Sequence, residues 1–290
     1  MDRLRRRIGD RRVLALVKAF LKAGILGEDG GWQETPTGAP QGGILSPLLS
    51  NLALSVLDEH AARAWQAMGT VSQRHDRRQR GEATWRLVRY ADDFVVMVAG
   101  TRAHAEALTD EVAAVLATVG LRLSEAKTSI RHIDEGVCFL GWRIQRHQQR
   151  GSQRRYVYTY PSKKALAAVK ATVRTLTTTM RNQPLTVLLH RLNWVLRGWT
   201  TYFRHGSSSA TFDYLRAFTW RRVVCWLRRK HPRINWKELR RRYLPRWWPM
   251  QGEVRMFNPG AVRIVRHRYR GAKIPTPWTS GTQGPLPCAH

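Results

Sequence analysis

Apolar residues recur with helical spacing through the first part of the chain. The segment 11–24 carries an apolar stripe that ends at Gly24, which predicts a helix. A loop rich in Gly and Pro runs to Pro47, and an apolar pattern of helical period follows over 48–57. A further stripe over 108–119 ends at Gly120 and predicts another helix.

Strand patterns lie between and after these helices. The runs WRLVRY and FVVMVAG flank Ala91, Asp92 and Asp93, which predicts a β-hairpin with acidic residues at its tip. The polar, Arg-rich segment 70–84 before it is expected to be an exposed loop. Beyond Gly120, the strand candidates are LRLSEAKTSI, CFLGWRIQR and RRYVYTY. This irregular alternation favours an α+β fold over a doubly wound sheet.

The pattern changes near residue 160 and is helical from there almost to the end. Ser162 is a candidate N-cap. Helices are predicted over 185–203, over FDYLRAFTWRRVVCWLRRK and over NWKELRRRYL. We therefore expect one domain over 1–160, a helical domain over 161–245, and a basic, largely irregular C-terminal tail over 246–290.

The charge of the chain indicates its partner. Fifty Lys and Arg residues against 20 acidic ones give a formal net charge of +30. Beyond residue 160, 26 basic residues face only Asp213, Glu238 and Glu253, a net charge of +23. Such an excess predicts a polyanionic partner. A membrane surface would also attract it, but arginine interleaved with Trp and Tyr favours nucleic acid, because guanidinium groups bind phosphates and aromatic rings stack on bases.

Other classes of protein are disfavoured by simpler features. No apolar run approaches the ~18 residues of a membrane span, and the basic N-terminus lacks the apolar region and cleavage site of a signal peptide. We therefore expect a cytoplasmic protein with no membrane partner. Cys138, Cys225 and Cys288 are too widely spaced to predict a disulfide framework or a zinc knuckle.

Asp92 and Asp93 are the strongest candidates for chemistry. Two adjacent carboxylates repel one another unless a bound cation neutralises them, and Mg²⁺ prefers oxygen ligands of this kind. Two such ions about 4 Å apart can activate an attacking 3′-hydroxyl and stabilise a leaving oxygen. Taken alone, the pair also fits a solvated turn, since Asp is a common turn residue.

The surrounding motifs favour the first interpretation. RYADDFVVMV is the Tyr-Ala-Asp-Asp form of the metal-binding motif of reverse transcriptases, and about fifty residues earlier TPTGAPQGGILSPLLSN resembles their P-Q-G-x-x-x-S-P block. LSEAKTSIRHIDEGVCFLGWRIQR is similar to their last two palm blocks. LNWVLRGWTTYFRHG resembles the signature of the maturase (X, or thumb) domain of group II intron-encoded proteins, and RHRYRGAKIPTPW resembles the basic ending of bacterial members. The resemblance covers about residues 1–278.

The resemblance implies roles for several polar residues. Asp92 and Asp93 would be catalytic and would bind Mg²⁺. Gln41 and Gly42 would lie at the template and nucleotide site, and Lys127 near the nucleotide phosphates. From the residues alone, a surface Gln, a solvated Lys and an ordinary Gly-rich loop are the alternatives.

Apolar residues of the same motifs have two different expected roles. The resemblance assigns Phe139, Leu140 and Gly141 to the primer grip. Trp199 and Phe203 lie at helical spacing, which is more typical of a core than of a ligand face.

Basic residues on the C-terminal helices are expected to face RNA. They alternate with apolar residues, so one side of each helix can pack while the other meets phosphates. A solvated basic face is the alternative, which the size of the uncompensated charge disfavours. The candidates for RNA binding are Arg221, Arg222, Arg228, Arg229, Lys230, Arg240, Arg241 and Arg242.

The resemblance implies a partial right-hand palm, an antiparallel sheet with helices over 1–160, followed by an all-helical thumb/maturase domain. It implies an RNA-directed DNA polymerase and intron maturase that uses Mg²⁺ and binds group II intron RNA, an RNA template, a DNA primer or target, and dNTPs. The finger blocks and the first palm aspartate of the family have no counterpart in these residues, so we expect an N-terminally incomplete chain that is inactive in polymerisation alone. The alternatives are an RNA-binding, maturase-like splicing factor without polymerase activity and an inactive remnant.

Overall fold

A computed structural model describes residues 1–6, 8–26, 32–33, 43, 45–149 and 151–265. These residues form two compact units, the first extending to Ile130 and the second beginning at Arg131. Each unit has a hydrophobic core of its own. Among the described helices, none has the length and apolar character needed to cross a membrane.

The first unit combines helices with two small antiparallel sheets. Strand β1 pairs with β2, and β3 pairs with β4. Its elements are α1 (Asp2–Arg5), α2 (Arg11–Lys22), β1 (Ile25–Leu26), β2 (Trp32–Gln33), α3 (Ser46–Ala67), α4 (Val71–Gln79), β3 (Thr84–Tyr90), β4 (Asp93–Ala99) and α5 (Arg102–Ala117).

The helices α2, α3 and α5 and the β3–β4 hairpin confirm the sequence predictions. Asp10 caps α2 by accepting a hydrogen bond from the backbone N–H of Arg12. The core of this unit packs α3 and α5 against the hairpin, with Leu57 fully buried and Trp85 nearly so. This packing fixes one face of the hairpin.

The expectation of an exposed loop over 70–84 is wrong, because residues 71–79 form helix α4. Thr70 and Gln73 form a capping box, in which each side chain accepts a hydrogen bond from the backbone N–H of the other residue. The helix is strongly polar and buries no residue, so it carries no apolar stripe that could reveal it.

The second unit begins with a three-stranded antiparallel sheet and continues with four helices. The strand order is β5-β6-β7. Its elements are β5 (Val137–Phe139), β6 (Trp142–Gln148), β7 (Arg155–Pro161), α6 (Lys163–Thr179), α7 (Leu185–Phe203), α8 (Ser209–Lys230), α9 (Trp236–Tyr243), β8 (Met250–Gln251) and β9 (Val254–Arg255), with 3₁₀ turns at Pro245–Trp247 and Pro259–Ala261.

Two of the strand predictions before β7 need correction. The segment LRLSEAKTSI forms no strand and instead turns at residues 125–127, with no ladder partner among the described residues. CFLGWRIQR is not one strand but the hairpin β5–β6, because Leu140 and Gly141 adopt positive φ angles of 48° and 78° and reverse the chain. Strand β7 and the N-cap at Ser162, whose hydroxyl accepts from the backbone N–H of Ala165 at 3.1 Å, are confirmed.

The helices α6, α7 and α8 contribute most of the larger of the two cores that the structure describes. Leu188, Leu192 and Leu196 of α7 are fully buried, as are Leu215 and Leu227 of α8. Full burial of a Leu side chain contributes about 1.5–3 kcal/mol, so this cluster holds the three helices in a fixed arrangement. The α+β fold class, an antiparallel partial palm followed by helices, is confirmed.

Candidate functional site

Asp92 and Asp93 lie at the tip of the β3–β4 hairpin. Tyr90 pairs with Asp93, so Ala91 and Asp92 alone connect the two strands. Ala91 has a φ of 53°, a left-handed conformation that costs a non-glycine residue about 1–2 kcal/mol. The surrounding structure must therefore stabilise this tip.

Arg89 anchors the tip to α3. Its guanidinium donates to the carbonyl of Ala91 at 2.6 Å, to Asn51 Oδ1 at 2.8 Å and to Asp58 Oδ1 at 2.9 Å, and it also contacts Asp58 Oδ2. The hydrogen bonds to the Asp58 carboxylate raise the pKa of Arg89 above its usual value. Both side chains are only 14% exposed, so water screens this pair less than a surface ion pair.

The importance of Arg89 was missed in the sequence, although a signal for it exists. Trp85, Leu87 and Arg89 are every second residue of β3, so their side chains lie on the same face of the strand, which packs against the core. A charge on that face requires a partner, but its partner Asp58 lies 31 residues away on another element.

The two aspartates themselves are left exposed. Neither carboxylate makes a hydrogen bond or an ion pair with another residue that the structure describes. Their oxygen donors suit a hard divalent cation, and a bound Mg²⁺ would supply charge neutralisation to phosphate groups. Within the described residues, no group of three His, Cys, Asp or Glu side chains could hold a metal ion. The donor chemistry of the tip thus fits Mg²⁺, with two protein ligands available there.

Of the other predicted nucleotide contacts, the structure describes Lys127 alone. Lys127 is exposed at the turn that follows α5, where its backbone N–H donates to Ser124, and its side chain makes no hydrogen bond or ion pair with Asp92 or Asp93. Gln41 and Gly42 lie outside the described residues.

The predicted primer-grip residues form the second hairpin tip. Phe139 pairs with Trp142 across the turn at Leu140 and Gly141. A methyl group at Gly141 would lie 3.4 Å from the Phe203 ring, and the φ of 78° at this position also favours glycine.

Tyr202 and Phe203 of the maturase-like motif and the backbone of Ser162 hold this tip. The Tyr202 hydroxyl donates to the Leu140 carbonyl at 2.8 Å, and the backbone N–H of Ser162 donates to the Gly141 carbonyl at 2.8 Å. The Trp142 ring lies edge-on to Phe203, with 4.8 Å between their centroids. The C-terminal end of α7 therefore fixes the Leu140 carbonyl, and the N-cap residue of α6 fixes the Gly141 carbonyl.

The aromatic residues of α7 divide between core and surface. Phe203 is buried and Trp199 packs against the core cluster, which confirms the expectation for both. Trp194, in contrast, is 72% exposed, and the Arg191 guanidinium lies 5.8 Å from the centroid of its ring. An exposed Trp beside an Arg is typical of a surface that stacks on bases.

Several of the predicted RNA-binding residues have contacts within the protein. Arg222 donates to Thr177 Oγ1 at 2.8 and 3.0 Å, and Lys230 donates to the Gln183 carbonyl. Arg241 and Arg242 form ion pairs with Glu238.

Four predicted RNA-binding residues lie open to the solvent. The Arg240 guanidinium stacks 4.9 Å from the Trp247 ring centroid. Arg221, Arg228 and Arg229 are exposed on α8 and form no hydrogen bond or ion pair with the residues that the structure describes. These three cations are thus available to phosphates.

Two family models match the chain and together span most of it. The model described as reverse transcriptase (RNA-dependent DNA polymerase) matches residues 3–144, which include both hairpin tips. The model described as group II intron, maturase-specific domain matches residues 166–244, which include α7, α8 and α9.

Curated proteins of similar sequence agree with these matches. Protein YkfC of Escherichia coli is 37% identical over 57% of this chain and 47% of its own length. The group II intron-encoded protein LtrA of Lactococcus lactis is 27% identical over 48% of this chain and 30% of its own length. A putative COX1/OXI3 intron 2 protein of Saccharomyces cerevisiae is 25% identical over 49% of this chain and 21% of its own length.

The chain thus spans less than half the length of each of these relatives. The order of the two matched regions, the hairpin bearing Asp92 and Asp93, and the basic helices after it all agree with the motifs in the sequence. The chain belongs to the family of group II intron-encoded reverse transcriptases and maturases.

Proposed function

We propose that this protein binds group II intron RNA through its C-terminal helices and assists splicing, and that Asp92 and Asp93 bind Mg²⁺ for RNA-directed DNA synthesis. The observation that carries the RNA-binding part is the absence of acidic residues from α6 and α7, with Asp213 alone on α8. These helices therefore present positive charge with little internal compensation. The RNA template, the DNA primer or target and the dNTPs are the partners of the polymerase part.

The two parts draw on different physical properties. RNA affinity arises from phosphate neutralisation and counterion release at the basic helices, whereas DNA synthesis requires carboxylate ligands at the β3–β4 tip. We therefore expect Asp92→Ala to retain the RNA affinity of the unmodified chain. Equal loss of RNA affinity and DNA synthesis in this variant would contradict the division.

RNA binding is tested by titrating a structured group II intron RNA at several salt concentrations. If six or more phosphates are neutralised, affinity should fall on the order of 10³-fold between 50 and 200 mM salt. The affinity of Asp92→Ala should depend on salt concentration in the same way as that of the unmodified chain. An affinity that does not change with salt would refute the electrostatic basis of the proposal.

The second candidate function is an RNA-binding splicing factor without polymerase activity. It is favoured by the two carboxylates at one tip, with no third metal-binding side chain beside them among the described residues. Two-metal transfer needs ligands around both ions, so residues 1–290 alone are expected to give only background primer extension on an RNA template. Magnesium-dependent DNA synthesis that Asp92→Ala abolishes would exclude this second candidate.

A further inference from the structure

A group of basic and aromatic side chains spans the exposed face between α6 and α8. We call it the Tyr214 cluster and define it as Lys170, Arg174, Tyr214, Phe218 and Arg221. Lys170 and Arg174 lie one turn apart on α6, and Tyr214 and Phe218 lie one turn apart on α8, so each pair shares a helix face.

Short distances connect the two helices within the cluster. Lys170 Nζ donates to the Tyr214 hydroxyl at 2.6 Å and lies 4.8 Å from the centroid of the Tyr214 ring and 5.1 Å from that of Phe218. The Arg174 guanidinium lies 5.3 Å from the Phe218 ring centroid. These cations are therefore held over aromatic faces rather than spread through solvent.

The positive charge of the cluster has no carboxylate partner among the described residues. Helix α6 contains no acidic residue, and Asp213 of α8 pairs with Arg216 at 3.4 Å. The pKa of Tyr214 is lowered, first because Lys170 donates a hydrogen bond to its oxygen and then because Lys170, Arg174 and Arg221 are positively charged. The phenol thus reports a positive potential to which three cations contribute.

The core beneath the cluster fixes its geometry. Val169 and Val173 of α6 and Leu215 and Thr219 of α8 are buried directly beside the cluster residues. Arg222 adds hydrogen bonds from α8 to Thr177 of α6. The cations are consequently held in place in the free protein, so their side chains lose less conformational entropy when a ligand binds.

We propose that the Tyr214 cluster is a binding site for consecutive backbone phosphates of RNA. Arg174 and Arg221 present planar guanidinium groups to phosphate oxygens, and Lys170 retains two N–H donors besides the one given to Tyr214. The exposed Tyr214 ring offers an edge to a sugar or a base beside those phosphates. This inference rests on the proposed RNA-binding function and assigns part of it to a defined surface.

The test compares two triple variants of the full chain that remove the same charge. The first variant removes the three cations of the cluster through Lys170→Ala, Arg174→Ala and Arg221→Ala. The matched control removes three exposed cations of α2 through Arg11→Ala, Arg12→Ala and Lys18→Ala. We expect the cluster variant to lose roughly tenfold or more in affinity for intron RNA at moderate salt, and its salt slope to fall by about two, because it forms fewer phosphate contacts. The control should change affinity by less than about twofold by the same reasoning.

Each outcome separates the cluster from the wider proposal. Equal, small effects of the two triple variants would overturn the cluster assignment while leaving RNA binding intact. Failure of the unmodified chain to bind intron RNA would refute the proposed function itself. If the cluster variant lost affinity for polyglutamate but not for RNA, an acidic protein would be the ligand and the RNA assignment would be wrong.

A second variant guards against a folding defect. Arg174→Lys with Arg221→Lys keeps both charges, and we expect it to preserve most of the salt slope while losing part of the affinity, because an ammonium cannot form the bidentate contact. A slope as low as that of the alanine variant, with an unchanged thermal transition, would contradict phosphate neutralisation by these side chains.

Discussion

The two hairpin tips of this protein are stabilised in opposite ways. The β3–β4 tip is held from below by a charged contact, Arg89 with Asp58, and leaves the carboxylates of Asp92 and Asp93 exposed. The β5–β6 tip is held through its own backbone, because both of its turn carbonyls accept hydrogen bonds. The first tip is thus arranged to present side chains, and the second to be fixed in position.

The two tips are also anchored to different helices. The β3–β4 tip is anchored to α3, which lies in the same compact unit and carries charges of both signs. The β5–β6 tip is anchored to α7, whose other residues are part of the leucine core and of the exposed Arg and Trp surface. One helix thus carries both the anchor of the second tip and the exposed Arg and Trp surface.

The largest expected effect is loss of the charged anchor. Arg89→Ala leaves Asp58 poorly solvated without its partner and frees the strained Ala91, so we expect the first unit to lose about 2–3 kcal/mol of stability. Amide hydrogen exchange over 84–99 should rise more than exchange over 137–161. Arg122→Ala, which removes an exposed arginine of the same unit, is the control and should leave both segments unchanged. If amide exchange over 84–99 were the same in Arg89→Ala as in the unmodified chain, Arg89 would not be the anchor of the hairpin.

A smaller effect is expected from the second tip. Tyr202→Phe removes one neutral hydrogen bond to Leu140 while keeping the ring contacts with Trp142 and Phe203, so the loss should be about 0.5–1.5 kcal/mol. Exchange at residues 139–142 reports the loss locally. Tyr156→Phe, at a tyrosine whose hydroxyl has no partner among the described residues, should change nothing. If the two variants behaved alike, the Tyr202 hydroxyl would not be holding the tip.

Local signals in the sequence predicted the β3–β4 tip but neither the turn of the β5–β6 hairpin nor the contacts that hold the two tips. The Asp92 turn, the Ser162 cap and the stripe of α7 depend on residues close in sequence, and the structure confirms them. The contact of Arg89 with Asp58 spans 31 residues and that of Tyr202 with Leu140 spans 62, and no periodic pattern encodes such pairs.

The errors have physical causes as well. Helix α4 buries no residue, so hydrophobic periodicity does not reveal it. The capping box of Thr70 and Gln73 is the local signal that predicts its start. The segment 121–130 has alternating apolar residues, yet a strand exists only where a neighbour pairs with it. The predicted RNA-binding residues show the same limit. Arg222 contacts α6 and Lys230 contacts the α6–α7 connection, and a sequence pattern does not reveal such tertiary contacts.

The smallest expected effect is a dependence of stability on pH that distinguishes the second unit from the first. His231, which ends α8 and stacks on Tyr243, has a pKa lowered by burial and by the nearby charges of Lys230 and Arg242.

The sign of the effect follows from this lowered pKa. The unfolded chain protonates His231 at a higher pH than the folded chain does, so the unfolded state binds more protons as pH falls below about 6.5, and the second unit loses stability over that range. His231→Gln should therefore reduce the loss of stability of the second unit between pH 7.5 and 5.5 and leave exchange over 84–99 unaffected. His190→Gln, at an exposed histidine of α7, is the matched control. An unchanged pH slope in His231→Gln would show that the end of α8 does not respond to protonation over this range.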